Sequence, residues 1–364
     1  MKNELLEQKF PPNLDSIWGM DFAVQLAATQ GAISGLNQAV PLLHNPDLLM
    51  QPLLDKEAEA SSRLEGTQAL VEDVYRAELK DDPEKSSDVL ETKNYRRALL
   101  YGVEAIKGRS LTQHVIRQMH GTLLKGVRGQ TKHPGKYREA NVYIGARGTG
   151  VDQARYIPPG TVHVPELMSR LEGFITTNKV HPLVACGVIH HRFEAIHPFE
   201  DGNGRTGRLI ITLYLLKTGM LAAPMLYPSG FFEKNRTDYM DALHAVDSGE
   251  NWSVWLSYFL KGVQTQAELS LKVARDIDAL FKAYRGLIQD ATAYIGLMRV
   301  LEYCFVQPLV TVKLASDRLE IPYGTVRRYI ATLENNNIIQ FSETLERGER
   351  VYANEKLLEI LRQI

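Results

Sequence analysis

Several things are scarce in this chain, and each scarcity excludes something. Only two cysteines occur in 364 residues, Cys186 and Cys304. Both stand in apolar, helix-like surroundings without metal-ligand spacing, so they read as reduced core residues. No apolar run reaches the roughly 18 residues that a membrane span needs, and the opening MKNELLEQKFPPNL lacks the apolar centre of a secretory signal. A cytoplasmic protein with no membrane partner is the simplest expectation. Charge of one sign is also lacking: the formal net charge is −1, so whole-molecule attraction gives no pointer to nucleic acid or an anionic membrane. Internal repeats and low-complexity tracts are absent. The length allows two or three domains with a substantial core.

One stretch concentrates the chemistry: His197-Pro-Phe-Glu-Asp-Gly-Asn-Gly-Arg-Thr-Gly-Arg208. The segments on either side, 183–196 and 209–216, are apolar and read as buried helices, so a polar, glycine-rich loop sits between them. Gly202 and Gly204 can adopt positive φ and let backbone approach a ligand closely. Successive N–H groups in such a turn form a nest for anions, and the next helix, starting near Arg205, adds its positive end. Arg205 and Arg208 supply forks suited to phosphate oxygens. Asp201 is an anionic oxygen beside them, as Mg²⁺ requires. His197, at the loop entrance, can take a proton from a hydroxyl near neutral pH. A Walker A loop is excluded, because no Gly-Lys-Ser/Thr follows. The set describes a nucleotide held through its phosphates with Mg²⁺, plus a base for an attacking hydroxyl.

This stretch resembles the signature of the Fic family, HPFx(D/E)GNGRxxR, and matches it at every fixed position; the similarity to the family's core spans roughly 85–265. The resemblance implies a mainly α fold: a Fic-type helical core with a β-hairpin flap and an N-terminal helical region, to which the pattern after residue 295, itself resembling a winged helix, adds a C-terminal part. It implies transfer of AMP from ATP to a Ser, Thr or Tyr hydroxyl of a protein, with self-modification included. In that reaction His197 is the base and Asp201 the Mg²⁺ ligand. Gly202, Asn203, Gly204, Arg205, Thr206, Gly207 and Arg208 bind ATP, with Arg205 on the β-phosphate and Arg208 on the γ-phosphate. Phe199 anchors the loop to the core.

Upstream, Ser61-Ser-Arg-Leu-Glu-Gly66 reads by itself as a helix end with a solvated acid. Beside a Fic core it resembles the family's inhibitory motif (S/T)xxxE(G/N). The resemblance implies that Glu65, flanked by Ser61 and Gly66, pairs with Arg208. A carboxylate there competes with the γ-phosphate. The expected order is an N-terminal helical region over 1–84, the catalytic core over 85–265, a connecting helix over 266–294 and a winged-helix-like domain over 295–364. Residues 1–16 are expected as an extended arm, with helices near 22–37, 46–62, 87–106, 111–126 and 164–177. Residues 128–163 carry two short β-like runs, 141–144 and 154–157, read as the flap that pairs with an extended target. His114 and His120 read as structural or surface residues. His190 and His191 sit on the helix before the loop with a lower expectation of catalysis than His197. The segment Pro224–Asn235 reads as a loop leading to a helix over 233–248. Tyr239 resembles the tyrosine lining the adenine side of the family's pocket, although Met240 stands where a second tyrosine is frequent. Helices are expected over 252–262 and 265–289, the latter with an apolar stripe suited to a neighbour in the chain or in a homodimer.

From residue 295 the grammar is helix–turn–helix followed by a β-wing with Arg347-Gly-Glu-Arg350 at its tip. Nine basic and nine acidic residues balance there, so no electrostatic footprint for DNA stands out. A protein-docking or dimerising module is favoured over nucleic-acid binding. Two alternatives to AMP transfer stay open: removal of AMP from modified proteins, with Glu65 orienting water, and a nucleotide-sensing transcription regulator. The phosphorylating branch of the family is disfavoured by the intact Gly204 and Arg208.

Overall fold

In the computed structural model, residues 12–42, 46–79, 87–145, 151–291 and 293–363 are described. The expected arm falls mostly outside them. Its described end carries a 3-10 turn, Asp15–Ile17. The loop expected over 81–87, save its last residue, and residues 146–150 between the two β-like runs also lie outside.

The described chain is mainly helical, as the sequence implies, with one small antiparallel sheet near the C-terminus. Two helices lead in, α1 (Met20–Ala39) and α2 (Pro46–Leu64). A short helix, α3 (Val71–Glu78), follows where none was expected, and it buries Val71, Val74 and Tyr75. Next come α4 (Ser87–Ala105), α5 (Gln113–Leu123) and α6 (Val164–Thr177). Thr112 caps α5 by accepting the N–H of Val115, which satisfies one of the orphan donors of its first turn.

The centre is the pair α7 (Pro182–Ile196) and α8 (Asn203–Lys217), buried on nearly every face. A helix apolar all round belongs in a core, not on a surface. The segment read as a loop at 224–235 holds a short helix, α9 (Ser229–Lys234), before α10 (Arg236–Gly249). The two helices expected over 252–289 are one, α11 (Trp252–Ile288). It packs most on α1, then on α10 and α7 of the same chain, so much of its apolar stripe is satisfied internally.

The C-terminal segment runs α12 (Tyr294–Val306), β1 (Leu309–Val310), α13 (Val312–Leu319), α14 (Tyr323–Asn335), β2 (Gln340–Thr344), β3 (Arg350–Ala353) and α15 (Glu355–Leu361). The sheet order is β1-β3-β2, all antiparallel, with Leu309 opposite Ala353 and Gln340 also opposite Ala353. Its apolar residues are continuous with the main core. It also grips the N-terminal helices. Gln307 donates to Tyr75 O at 2.9 Å, Arg347 to Leu79 O at 2.7 Å and Arg362 to Glu72 at 2.8 Å.

Candidate active site

The loop between α7 and α8 owes its shape to two left-handed residues. His197 ends α7 at φ 48 and Gly202 precedes α8 at φ 77. The first is uncommon for a residue with a Cβ, and the surroundings hold it there. Arg138, 3% exposed, donates from Nε to His197 O at 2.8 Å and reaches Pro159 O and Ala140 O. Asn203 binds Phe199 twice: Oδ1 accepts its N–H at 2.9 Å and Nδ2 donates to its carbonyl at 2.8 Å. The Phe199 ring stacks on His120 at 3.7 Å. His120 Nδ1 accepts Gly135 N–H at 2.8 Å, so its Nε2 carries the proton and donates to Asp201 O, also at 2.8 Å. Burial pushes the His120 pKa down to about 4, which keeps this tautomer neutral. His114, by contrast, is exposed.

The His197 ring is half-buried. Its Nδ1 lies 3.3 Å from Glu194 O. A carbonyl only accepts, so Nδ1 bears the hydrogen and Nε2 keeps its lone pair. Withdrawal from solvent pushes the His197 pKa down to about 4, with the Arg138 cation adding, against the opposing pull of Glu194 O, Glu65 and Asp201. The ring is an unprotonated imidazole at neutral pH.

The expected ligand contacts divide into two groups. Asn203, Thr206 and Gly207 are committed internally. Thr206 is fully buried and bonds Gly202 O at 2.9 Å. Gly207 O meets His190 Nδ1 at 3.1 Å. These groups bind the loop to itself. The free first-turn N–H groups of α8, with Gly204, remain open to an anion. Arg205 is fully buried. Its Nη1 pairs with the buried Glu91 at 3.1 Å and its Nη2 stands 3.6 Å from Asp201. Its Nε and Nη2 have no hydrogen-bond partner among the described residues.

Arg208, 2% exposed, is held by the end of α2. Its Nε donates to Ser61 Oγ at 2.8 Å. Its Nη2 donates to Ser61 O at 2.9 Å and to Glu65 Oε1 at 2.7 Å. Gly66, at φ 93, lets the chain turn just past α2. Arg128 fixes the Glu65 carbonyl from the other side at 3.2 Å. Burial raises the pKa of the Glu65 carboxyl, but the Arg208 guanidinium, helped by Arg205 and His197, outweighs it and holds the group below its ordinary value. The carboxylate lies over Gly204, where a Cβ would come within 2.2 Å of Oε1.

A cavity of about 220 Å³ joins these groups. His197, Gly204, Arg208, Glu65 and Glu194 line it together with Tyr239, Met240 and Leu243. The flap roofs it: Ile144 and Tyr156 form an antiparallel bridge, both line the cavity, and Tyr156 anchors to Ala195 O at 3.0 Å. Tyr239 is buried, stacked on Phe232, and its hydroxyl bonds His190 Nε2 at 2.8 Å. Because His190 Nδ1 donates to Gly207 O, its Nε2 accepts from Tyr239. His190 is therefore a buried strut, and burial pushes its pKa down to about 3.

Asp201 is not on this cavity wall. It stands beside Arg205, one-third exposed. Its Oδ2 faces Gly129, where a Cβ would come within 2.7 Å; the missing side chain leaves the carboxylate accessible. Among the described residues no three His, Cys, Asp or Glu side chains gather as a metal cage. One open carboxylate beside an anion nest nonetheless suits Mg²⁺, which commonly binds through one or two carboxylates plus substrate phosphates and water.

Two family models match this chain: the Fic/DOC family N-terminal region over 24–104 and the Fic/DOC family over 110–215. Together they take in about half of the chain, and the second contains the whole His197–Arg208 loop. The chain belongs to the Fic/DOC family. Among relatives, a protein adenylyltransferase Fic from Culex quinquefasciatus is 33% identical over 120 residues, 32% of this chain and 21% of the relative. The corresponding protein from Aedes aegypti is 30% identical over 120 residues, with the same coverage. The chain thus spans about a fifth of the length of the curated relatives it matches. The fold agrees with a Fic family protein from Desulfovibrio desulfuricans, at a TM-score of 0.57 and 21% identity over 91% of this chain and 95% of that one.

The Fic residues legible from sequence, His197, Gly204, Arg208, Glu65 and Tyr239, meet at one cavity. His120 and Arg138, which shape the Fic loop, were not singled out for that role. Their partners are backbone atoms far along the chain, so no side-chain spacing signals them.

Proposed function

We propose that this Fic protein is an Mg²⁺- and ATP-dependent protein adenylyltransferase acting on Ser, Thr or Tyr hydroxyls, its own among them, and restrained by Glu65. One observation carries the reading. His197 presents an unprotonated imidazole to the cavity that also holds Gly204 and Arg208, beside the open first turn of α8. A base next to an anion nest suits attack of a hydroxyl on a phosphorus. The relatives named protein adenylyltransferase support the same chemistry.

The triphosphate lies along the start of α8, with Arg205 toward the β-phosphate and Arg208 toward the γ-phosphate. His197 Nε2 takes the proton of the target hydroxyl. The hydroxyl oxygen forms a bond to the α-phosphorus, the α–β bridging P–O bond breaks, and pyrophosphate departs with that electron pair. The N–H groups of the first turn stabilise the charge that gathers on the α-phosphate oxygens. Asp201 would hold Mg²⁺, which supplies charge neutralisation to the phosphates. Glu65 occupies the Arg208 guanidinium that the γ-phosphate needs, so productive ATP requires Glu65 to withdraw.

An intact-mass measurement tests the reading. Protein with Mg-ATP and lysate should gain whole AMP units, with pyrophosphate released. A gain of single phosphates contradicts it.

A second reading has its own observation. Glu65, kept ionised by Arg208, faces the same cavity as His197, so a carboxylate is in place to orient water for AMP removal. Release of AMP from a modified protein by wild type, and not by Glu65→Gly, would favour it. The C-terminal segment suits a winged-helix docking or dimerising module, since its helix–turn–helix precedes a β2–β3 wing and its charges balance.

A further inference from the structure

Glu194 stands on α7 one helical turn before His197, and it lines the same cavity. Its Oε1 is buried with no hydrogen-bond partner among the described residues. Such groups are rare, because leaving a buried polar atom unpaired costs about 1–3 kcal/mol. The local packing has been shaped to keep it. Oε1 lies over Gly207, where a Cβ would come within 2.2 Å, and the Phe193 ring crowds the same spot. Glycine at 207 is one of the positions the family signature leaves free, yet here only glycine gives this carboxyl its place. Burial also pushes the Glu194 pKa up to about 7, with Arg208 opposing and Glu65 adding.

The neighbours define what can satisfy it. In either protonation state the carboxyl keeps an acceptor oxygen, which an ionised phosphate cannot satisfy and a ligand O–H can. The same lining includes Tyr239, Met240 and Leu243 beside His191, Arg236, His244 and Asp247, so it offers a base both apolar surface and polar groups. Three residues of helix separate Glu194 from His197, about 4.5 Å along the axis. His197 faces the α-phosphate in the proposed reaction. The next part of a nucleoside triphosphate is its ribose, which carries two O–H donors.

We infer that Glu194 is a specificity-determining residue that accepts a hydrogen bond from a ribose hydroxyl of the nucleotide, so that this site distinguishes ribonucleotides from deoxyribonucleotides. The inference rests on the nucleotide-binding reading above. A site built around a hydrogen bond to a substrate hydroxyl rejects the analogue lacking it, because the buried partner is then left unpaired.

The test is calorimetric, with Mg²⁺ and ATP, 2′-deoxy-ATP or 3′-deoxy-ATP as probes. It uses the full chain carrying Glu65→Gly, so that Glu65 does not limit occupancy. At least one deoxy-nucleotide should bind ~10–100-fold more weakly than ATP. Adding Glu194→Ala should bring that ratio close to one. Gly207→Ala, which pushes the carboxyl out of place, should lower the ratio in the same direction. A thermal melt confirms each fold; should the alanine variant not fold, Glu194→Met, which fills similar space without an acceptor oxygen, must still shrink the ratio. A purely structural role would lower all affinities together and leave the ratio unchanged. Equal binding of all three nucleotides before Glu194 is altered, or a ratio that survives its loss, overturns the inference while leaving nucleotide binding intact. No binding of any nucleotide overturns the functional reading and this inference with it.

Discussion

Glu65 Oε1 accepts a hydrogen bond from Arg208 Nη2 at 2.7 Å, across 143 residues of sequence. Arg208 is almost wholly buried, whereas Glu65 is about one-third exposed. The pair is therefore asymmetric: the arginine is fixed by Ser61 and the core, and the glutamate is the partner that can leave. Glu65→Gly should raise ATP affinity by about tenfold or more, because the guanidinium is freed for phosphate. The same change should lower stability of the ligand-free protein by about 1–3 kcal/mol, since it leaves a buried cation without its carboxylate. Calorimetry and denaturant melts of one preparation read both effects. Unchanged affinity would show that Glu65 does not compete for the site.

Burial lowers the His197 pKa from its ordinary 6.5 to about 4. The ring is therefore the free base at all pH values above about 5. An NMR titration of the His197 ring should show a midpoint near 4, and Nδ1 as the protonated nitrogen above it. A midpoint near 6.5 would contradict the buried environment described here.

His120 joins two backbone atoms, Gly135 N and Asp201 O. Replacing it with phenylalanine retains the stack on Phe199 and leaves both atoms unpaired. The expected loss is about 2–4 kcal/mol of stability. Nucleotide binding should also weaken, because the loop carrying Asp201 loses its strut. Denaturant midpoints check the first effect, and calorimetry the second.

Glu194 makes the fold pH-sensitive in a definite direction. Its folded pKa of about 7 lies above the ordinary 4.5. The folded state then holds a proton that the unfolded state releases, so this group's contribution falls as pH rises from about 4.5 to 7 and is level above that. Glu194→Gln should remove that component: its melting temperature relative to wild type should be higher at pH 8 than at pH 5. A constant difference across the range would contradict it.

What could be read from the sequence followed residue type. The His197–Arg208 loop declared itself because a base, an acid, three glycines and two arginines have little reason to gather between two apolar helices. Glu65 was legible through Ser61 and Gly66, which the structure places on Arg208 and at the turn after α2. Other features depended on contacts that no local pattern records. Helix α3 is short, and its VEDVYRAE sequence looks solvated until the C-terminal segment packs beside it. The break expected after 262 falls on Gly262, which is not a helix end. A Cβ there would come within 2.7 Å of the Phe231 ring, so the glycine serves close packing inside a continuous α11. Asn203, Thr206 and Gly207 are polar or small in the sequence, yet their groups bind the loop to itself.

The most direct test of the central claim follows label from ATP to protein. Wild type, Glu65→Gly and Glu65→Gly with His197→Ala would each be incubated with Mg²⁺, lysate and ATP labelled on either the α- or the γ-phosphate. The expected result is transfer from the α-labelled ATP alone, weak in wild type, at least tenfold stronger in Glu65→Gly, and lost when His197 is also replaced. Label arriving from the γ-phosphate, or transfer that persists without His197, would contradict adenylyl transfer by this base under this restraint.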